Sequence, residues 1–299
     1  MNDFNTVLHY TSSKRLSMNH PFVLKLIRIY FYFTSALFPS LAVKSAHRLF
    51  HTPMQGKQRD AEERLAKKAE KWHIKVDSDI ILQAYRWGKK EDPLVVIVHG
   101  WSSNAMGMSP YITMLLKNNF QVLSYDAINH GKSKGKISDL AHWAKCVSAV
   151  LQSVDQVECV IAHSLGAGAV TMASNIGLNT KKLVLLAPMN DAKSITDKFG
   201  NHFGIPLGVM QKMRDYNWKI NEEQLNLYGK DWKDVFVSSF HVPTLIIHDK
   251  NDEEVSIEDS KTLIKTWTWA TLIETEGLGH RKILYSKKVM FHVLDFLKT

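Results

Sequence analysis

Short apolar runs recur along most of this chain, separated by longer segments of mixed polarity. The runs are LVVIVHG (94–100), QVLSYDA (121–127), VECVIAHS (157–164), KLVLLAP (182–188), PTLIIHD (243–249) and WATLIETEG (269–277). Nearly continuous Val, Ile and Leu at this length predicts central strands of a parallel sheet covered on both faces. Two extended segments, 72–76 and 80–87, flank the turn DSD at 77–79 and predict an opening hairpin. Helices are expected at 111–118, 140–154, 166–176 and 286–297, the last with Val289, Val293 and Phe296 as apolar points. Strand and helix alternate, which predicts an α/β fold with a doubly wound, mostly parallel sheet and right-handed crossovers.

Two stretches depart from that rhythm. Residues 189–241 lie between consecutive strands and are too long for an ordinary connection. They are rich in aromatics (Phe199, Phe203, Tyr216, Trp218, Tyr228, Trp232, Phe236), and a small helical cap inserted at the carboxyl edge of the sheet is expected. Residues 21–44, PFVLKLIRIYFYFTSALFPSLAVK, are very apolar but interrupted by Lys25 and Arg28. The uncharged part, 29–43, would be about 22 Å long as a helix, short of a bilayer core of roughly 30 Å. Three readings stay open for it: a helix packed on the domain or covering its pocket mouth, a helix lying on a membrane, or a true span. The membrane-surface reading would be assisted by Lys14, Arg15, Lys25, Arg28, Lys44 and Arg48. Residues 51–71 are polar and helix-favouring, with Ala61, Leu65 and Ala69 four apart. The expected organisation is an N-terminal basic and apolar helical extension over 1–71 and a main domain over 72–299, with the cap inserted at 189–241.

Charge sharpens this division. The formal net charge is +9, yet residues 1–71 hold 12 Lys/Arg against 5 Asp/Glu while the remainder holds 26 against 24. The basic surplus therefore belongs to the extension. With no finger spacing and no compact basic cluster, nucleic acid is not an expected partner. Length and 45% hydrophobic content suit a protein with a substantial core. The two cysteines, Cys146 and Cys159, have no metal-ligand spacing and form no disulfide framework. A cytoplasmic enzyme is expected, with peripheral contact at the inner face of a membrane through residues 21–43 as an open component.

The sharpest chemical signal is VECVIAHSLGAGA, in which Ser164 falls between a buried-looking strand and a helix beginning at Leu165–Gly166–Ala167. A serine at such a turn projects its hydroxyl from the sheet edge beside the helix N-terminus. Its competing role is simply to cap that helix. His99 and Gly100 end the first central strand, so the Trp101 amide can join the Leu165 amide in an oxyanion hole. For His99, a role in holding that loop is favoured over proton exchange. Serine needs a base, and His280 in EGLGHRKIL follows the last strand. His163, adjacent to the serine, leaves the turn in another direction. The acid is expected from IIHDKNDEEV, and composition leaves Asp249, Asp252, Glu253 and Glu254 open. Asp126, Asn129 and His130 in DAINHGKSKG fix a glycine-rich turn; no second carboxylate cluster makes this a metal site, and neither nucleotide fingerprint is present. No cofactor or metal is expected.

Taken together, HGW (99–101), DAINHGKSKG (126–135), AHSLGAG (162–168), HDKNDEEV (248–255) and GLGH (277–280) resemble the α/β-hydrolase superfamily, in its serine-hydrolase branch of esterases, lipases and serine-aminopeptidase-like proteins. The resemblance covers residues 72–299. It implies that the acid is Asp252, three residues before Val255, and that Asp126 and His130 shape the floor of the site without joining the triad. Two departures stand out: Ala162 replaces the usual glycine before the serine, and His248 stands where small residues are common. The resemblance implies a Ser164–His280–Asp252 triad that hydrolyses a carboxylic ester, and the aromatic cap with Trp101 points to a small to medium apolar acyl group. Thioester or small-amide hydrolysis, and a non-catalytic membrane-associated binding role, are the alternatives.

Overall fold

The computed structural model describes residues 21–54, 59–135, 138–229, 236 and 240–299. Lys14, Arg15 and Trp232 lie outside the described residues. The chain forms two compact units: His51–Ile195 with Trp218–Thr299, and Met1–Phe50 with Thr196–Asn217.

In chain order the described elements begin with helices α1 (Pro21–Leu37), α2 (Pro39–Phe50) and α3 (Asp60–Lys67), then strands β1 (Glu70–Lys75), β2 (Ile81–Trp87) and β3 (Leu94–Val98). Next come α4 (Ser109–Lys117), β4 (Gln121–Tyr125), α5 (Leu140–Gln152), β5 (Cys159–His163), α6 (Leu165–Ala173) and β6 (Leu183–Leu186). The insertion supplies α7 (Ala192–Phe203), α8 (Leu207–Ile220) and α9 (Glu222–Leu225). The chain closes with β7 (Thr244–Asp249), α10 (Ile257–Thr266), β8 (Ala270–Thr275), α11 (Gly279–Lys282) and α12 (Lys287–Lys298).

Among the described residues, the larger unit holds one eight-stranded sheet in the order β1-β2-β4-β3-β5-β6-β7-β8. The β1–β2 hairpin and the β2–β4 pair are antiparallel, and every pairing from β4 to β8 is parallel. Alternate residues of the parallel strands feed two separate cores. Val96, Val98, Val160, Ala162 and Leu185 pack on one face with Trp143, Val147 and Val150 of α5 and Val170 of α6. Val95, Ile97, Ile161, Val184 and Ile247 pack on the other with Tyr111, Ile112 and Leu115 of α4 and Val289 and Val293 of α12. Burial on both faces is why these strands read as unbroken apolar runs. Strand order reverses at β3, whose neighbours β4 and β5 both come later in the chain, and that reversal opens a crevice at the carboxyl ends of the strands.

The apolar N-terminal stretch forms two helices, not one. Phe38 separates them because a residue before proline is driven out of helical backbone, and Pro39 then starts α2 where its missing N–H costs nothing. No described helix is long and apolar enough to cross a membrane. Within the smaller unit, Phe31, Val43 and Ala46 pack with Phe203, Met210 and Met213. Polar ties within that unit include His47 Nε2 to Asn217 Oδ1 at 3.0 Å and Arg214, which donates to Asp197 at 2.7 Å.

Candidate active site

Ser164 follows the last residue of β5 and precedes the first of α6, with φ 55° and ψ −123°. This backbone conformation is unfavourable for a residue with a Cβ, by about 1–3 kcal/mol, and persists only where its surroundings enforce it. Here they do: the Ser164 amide donates to the Leu186 carbonyl of β6, and its own carbonyl accepts from Gly168 and Met189. Gly166 makes the turn possible, since a Cβ there would lie 2.2 Å from the His99 carbonyl oxygen. Ala162 is fully buried in the strand, so its methyl takes up core space and leaves the turn itself unchanged.

His280 lies in the short helix α11 and faces Ser164, with Nε2 2.9 Å from the serine Oγ. On its other side, Nδ1 is 2.7 Å from Asp252 Oδ2. Asp252 Oδ1 accepts from the Glu254 and Val255 amides, both at 2.9 Å. Burial disfavours the charged carboxylate, but hydrogen bonds from His248 and His280 outweigh it and hold Asp252 well below the usual carboxylate range. The structure thus brings Ser164, His280 and Asp252 into one hydrogen-bonded chain.

The neighbouring acids are occupied differently. Asp249 is fully buried and accepts from the Asn251, Leu278 and Gly279 amides and the Thr275 hydroxyl, at 2.8–3.0 Å. It pins the loop that carries His280 and does not face the ring. Glu254 pairs at the surface with Arg281, and Glu253 is exposed.

The residues expected to shape the site all lie at the carboxyl ends of β3, β4 and β5. His99 Nδ1 donates to the Gly100 carbonyl at 2.7 Å and Nε2 accepts from the Ala127 amide at 2.9 Å. His130 repeats this on the next loop, donating to the Ile128 carbonyl and accepting from the Ser102 amide. Asp126 accepts from the Ala105 and Lys132 amides at 2.8 and 2.9 Å. Burial pushes His99 down to about 4, and burial with the nearby His99 pushes His130 down to about 3, so both rings are neutral struts. His163 Nε2 donates to the His280 carbonyl at 3.1 Å, and burial and the adjacent His280 push it to about 3. It steadies the backbone of His280 and does not contact the serine hydroxyl as a base. Gly100 lets the loop close on this site: a Cβ there would lie 2.9 Å from His163 Nδ1 and 3.1 Å from Ser164 Cβ. Among the described residues, neither the Trp101 nor the Leu165 amide donates to a backbone carbonyl outside its own element.

Sequence reasoning missed the role of three groups. His248 is fully buried at the end of β7, with Nε2 3.3 Å from Asp252 Oδ2 and Nδ1 2.7 Å from Ser260 Oγ. Nε2 also donates to the Val255 carbonyl at 3.2 Å, so His248 lies beside the same carboxylate oxygen that His280 meets and ties down the backbone behind it. The replacement of a small residue by histidine was the only signal for this. Trp143 of α5 packs edge-on against His99 and His130, 5.3 and 5.1 Å between ring centres, fixing both struts. Ser102 has φ 55°, which a polar loop sequence does not announce.

The sequence pattern of the alpha/beta hydrolase family matches residues 95–241. A non-heme chloroperoxidase of Burkholderia pyrrocinia is 22% identical over 255 residues, covering 68% of this chain and 91% of that protein. A bifunctional esterase/perhydrolase of Acinetobacter calcoaceticus is 30% identical over 87 residues, 28% of this chain and 32% of that protein. Among solved structures, an esterase of Pyrococcus furiosus superimposes with a TM-score of 0.64 at 19% identity, covering 83% of this chain and 97% of that one.

Proposed function

The chain belongs to the α/β-hydrolase superfamily, and on that premise we propose that it is a serine hydrolase cleaving carboxylic esters with a small to medium apolar acyl group. The observation that carries this reading is the continuous Ser164–His280–Asp252 chain, at 2.9 and 2.7 Å, hung on the positive-φ turn. In this reading His280 Nε2 takes the Ser164 proton as Oγ attacks the ester carbonyl, and Asp252 holds the Nδ1–H tautomer and stabilises the imidazolium. The oxyanion is received by the Trp101 and Leu165 amides. Protonated His280 then gives its proton to the departing alkoxide. Water, deprotonated by the same ring, releases the acid and restores Ser164. Residues 72–299 carry this chemistry, with 189–241 as a cap insertion. The reading includes peripheral contact between residues 21–43 and a membrane.

A second reading, acyl transfer to hydrogen peroxide in place of water, is favoured by the names of the chloroperoxidase and esterase/perhydrolase relatives. Both readings are tested by exposing the full chain to a fluorophosphonate and locating the adduct by peptide mass spectrometry. An ester, thioester and amide panel then follows, with and without peroxide. Modification confined to Ser164 and hydrolysis fastest on short esters is the expected result. Peracid formation outpacing hydrolysis would favour the second reading, and no modification of the folded protein would overturn both.

A further inference from the structure

Helix α1 is apolar on two sides, and only one of them is used. Phe31 is buried in the smaller unit, with Leu24 and Ile27 packed beside it. The opposite side carries Phe22, Leu26, Ile29, Phe33 and Leu37, spaced by four, three, four and four residues and each 44–66% exposed. At 100° per residue these five form one continuous stripe along the whole helix. Tyr30 borders it and is likewise exposed. Scattered exposed apolar residues need no explanation, but an uninterrupted stripe of this length marks a contact surface.

The charge around the stripe identifies what covers it. Lys25, Arg28, Lys44 and Arg48 are the charged side chains of α1 and α2, and neither helix has an acidic residue. The bias extends through residues 4–59, which contain eight Lys/Arg and no Asp/Glu. Lys25 and Arg28 lie at one edge of the stripe and line, with Ile29, Tyr32, Phe33 and Val209, an open groove of about 1120 Å³. On the other edge the Tyr30 hydroxyl meets Ser45 Oγ at 2.6 Å, which brings α2 and its Lys44 alongside. A second copy of this face would offer no carboxylate to these cations. An anionic lipid surface would pair with them while the stripe enters the acyl boundary. As α1 is 17 residues, about 25 Å, and contains two cations, it suits lying in the interface and not crossing it.

We propose that the Phe22–Leu26–Ile29–Phe33–Leu37 face of α1 docks in the plane of an anionic phospholipid membrane, with Lys25 and Lys44 holding headgroups at its edges. The inference rests on the peripheral contact proposed above and names its face and its lipid class. The test is sedimentation of the full chain with vesicles of phosphatidylcholine alone and of an equal mixture with phosphatidylglycerol. Strong partitioning onto the anionic vesicles, weakened by salt, is expected. Leu26→Ser with Phe33→Ser should lower it at least about tenfold, because two inserted side chains are lost. Lys25→Ala with Lys44→Ala should lower it about twentyfold on anionic vesicles alone. Fluorophosphonate labelling and melting temperature of these variants should match the parent, since the altered side chains are exposed. No binding to either vesicle would overturn the peripheral reading itself. Binding that the stripe variants leave unchanged, or binding indifferent to lipid charge, would overturn only this face or this lipid class. Concentration-dependent dimers that Leu26→Ser/Phe33→Ser dissolves, without vesicle binding, would replace the lipid by a second copy.

Discussion

Replacing Asp252 by asparagine tests the proposed triad most sharply, because the hydrogen bonds dictate how the new amide must lie. The carboxylate receives two rigid amides, Glu254 and Val255, on Oδ1 and the His280 ring on Oδ2, with His248 Nε2 3.3 Å from that same oxygen. An asparagine NH2 must face either the amides or the rings. Backbone amides cannot become acceptors, whereas an imidazole can change tautomer. The NH2 therefore turns toward His280, whose Nδ1 becomes the acceptor, and the ring proton moves to Nε2. That nitrogen sits 2.9 Å from Ser164 Oγ and can no longer take its proton. Loss of the base by tautomer exchange lowers kcat by about 10³–10⁴, or about 4–5 kcal/mol of transition-state stabilisation.

Asp249→Asn gives the contrast. Its four donors include the Thr275 hydroxyl, which can rotate to accept, but also the Leu278 amide, which cannot. The expected loss is about 1–3 kcal/mol of stability and no more than about thirtyfold in kcat/KM, through the loosened loop. The assay is hydrolysis of a short p-nitrophenyl ester across pH, beside the labelling rate at Ser164 and the melting temperature of each variant. Asp252→Asn retaining a tenth of the activity would refute the tautomer argument. Equal kinetic losses in the two variants would refute the choice of acid.

Ser164→Ala should abolish turnover and fluorophosphonate labelling; Ser164→Gly should do the same yet melt higher than Ser164→Ala, by about 1 kcal/mol, because glycine tolerates φ 55°. Equal melting temperatures for the two would show that the turn is not strained. His248→Phe should reduce kcat about tenfold to hundredfold at unchanged KM by removing the polar ring beside Asp252 Oδ2 and its bond to the Val255 carbonyl, and His248→Gln, which still offers an N–H, should recover most of it. Failure of glutamine to rescue would leave His248 a packing residue only. Stability should fall with acid: His99, His130 and His163 have folded values near 4, 3 and 3, below the unfolded value. The neutral rings contribute fully above about pH 6.5, and their contribution is lost toward pH 4 at up to about 4 kcal/mol per pH unit. Asp126, raised by burial, opposes this only at the acid end. Unchanged melting between pH 7 and 5 would contradict the neutral-strut assignment.

The sheet was legible because its strands are buried on both faces. A strand such as Val95–Val98 must be apolar at every position, so it stands out against its surroundings whatever its neighbours are. Helix α10 was not legible for the converse reason. It buries few apolar side chains, Leu263 chief among them, and is started by Ser256, whose side chain accepts from the Glu258 amide. Such a helix is specified by a cap and by the strands it joins, which no periodicity announces. The serine was legible because its turn needs small residues at defined offsets. Which carboxylate meets His280 was not, since Asp249 and Asp252 are three residues apart in one loop and differ only in the donors that other segments bring to them. Those donors, from Thr275 to Gly279 for one and from His280 for the other, come from about thirty residues away.

The N-terminal helix shows where reading from polarity stops. Phe31 and Phe33 are the same residue two positions apart in the same helix, yet one is 2% exposed and the other 56%. Both contribute equally to the apolarity that made residues 21–44 conspicuous. Hydrophobic content states how much surface a helix would remove from water, not which body removes it. Residues 196–217 and α2 account for one side of α1, in a unit whose parts are some 150 residues apart in the chain. The other side keeps its apolar stripe bordered by cations and without a carboxylate on either helix. A helix built only to pack on its own chain would gain solubility by placing Glu or Lys at positions 22, 26, 29, 33 and 37, and it places none. The composition of that stripe is thus better explained by a second surface than by the fold, and the charge at its edge selects an anionic one.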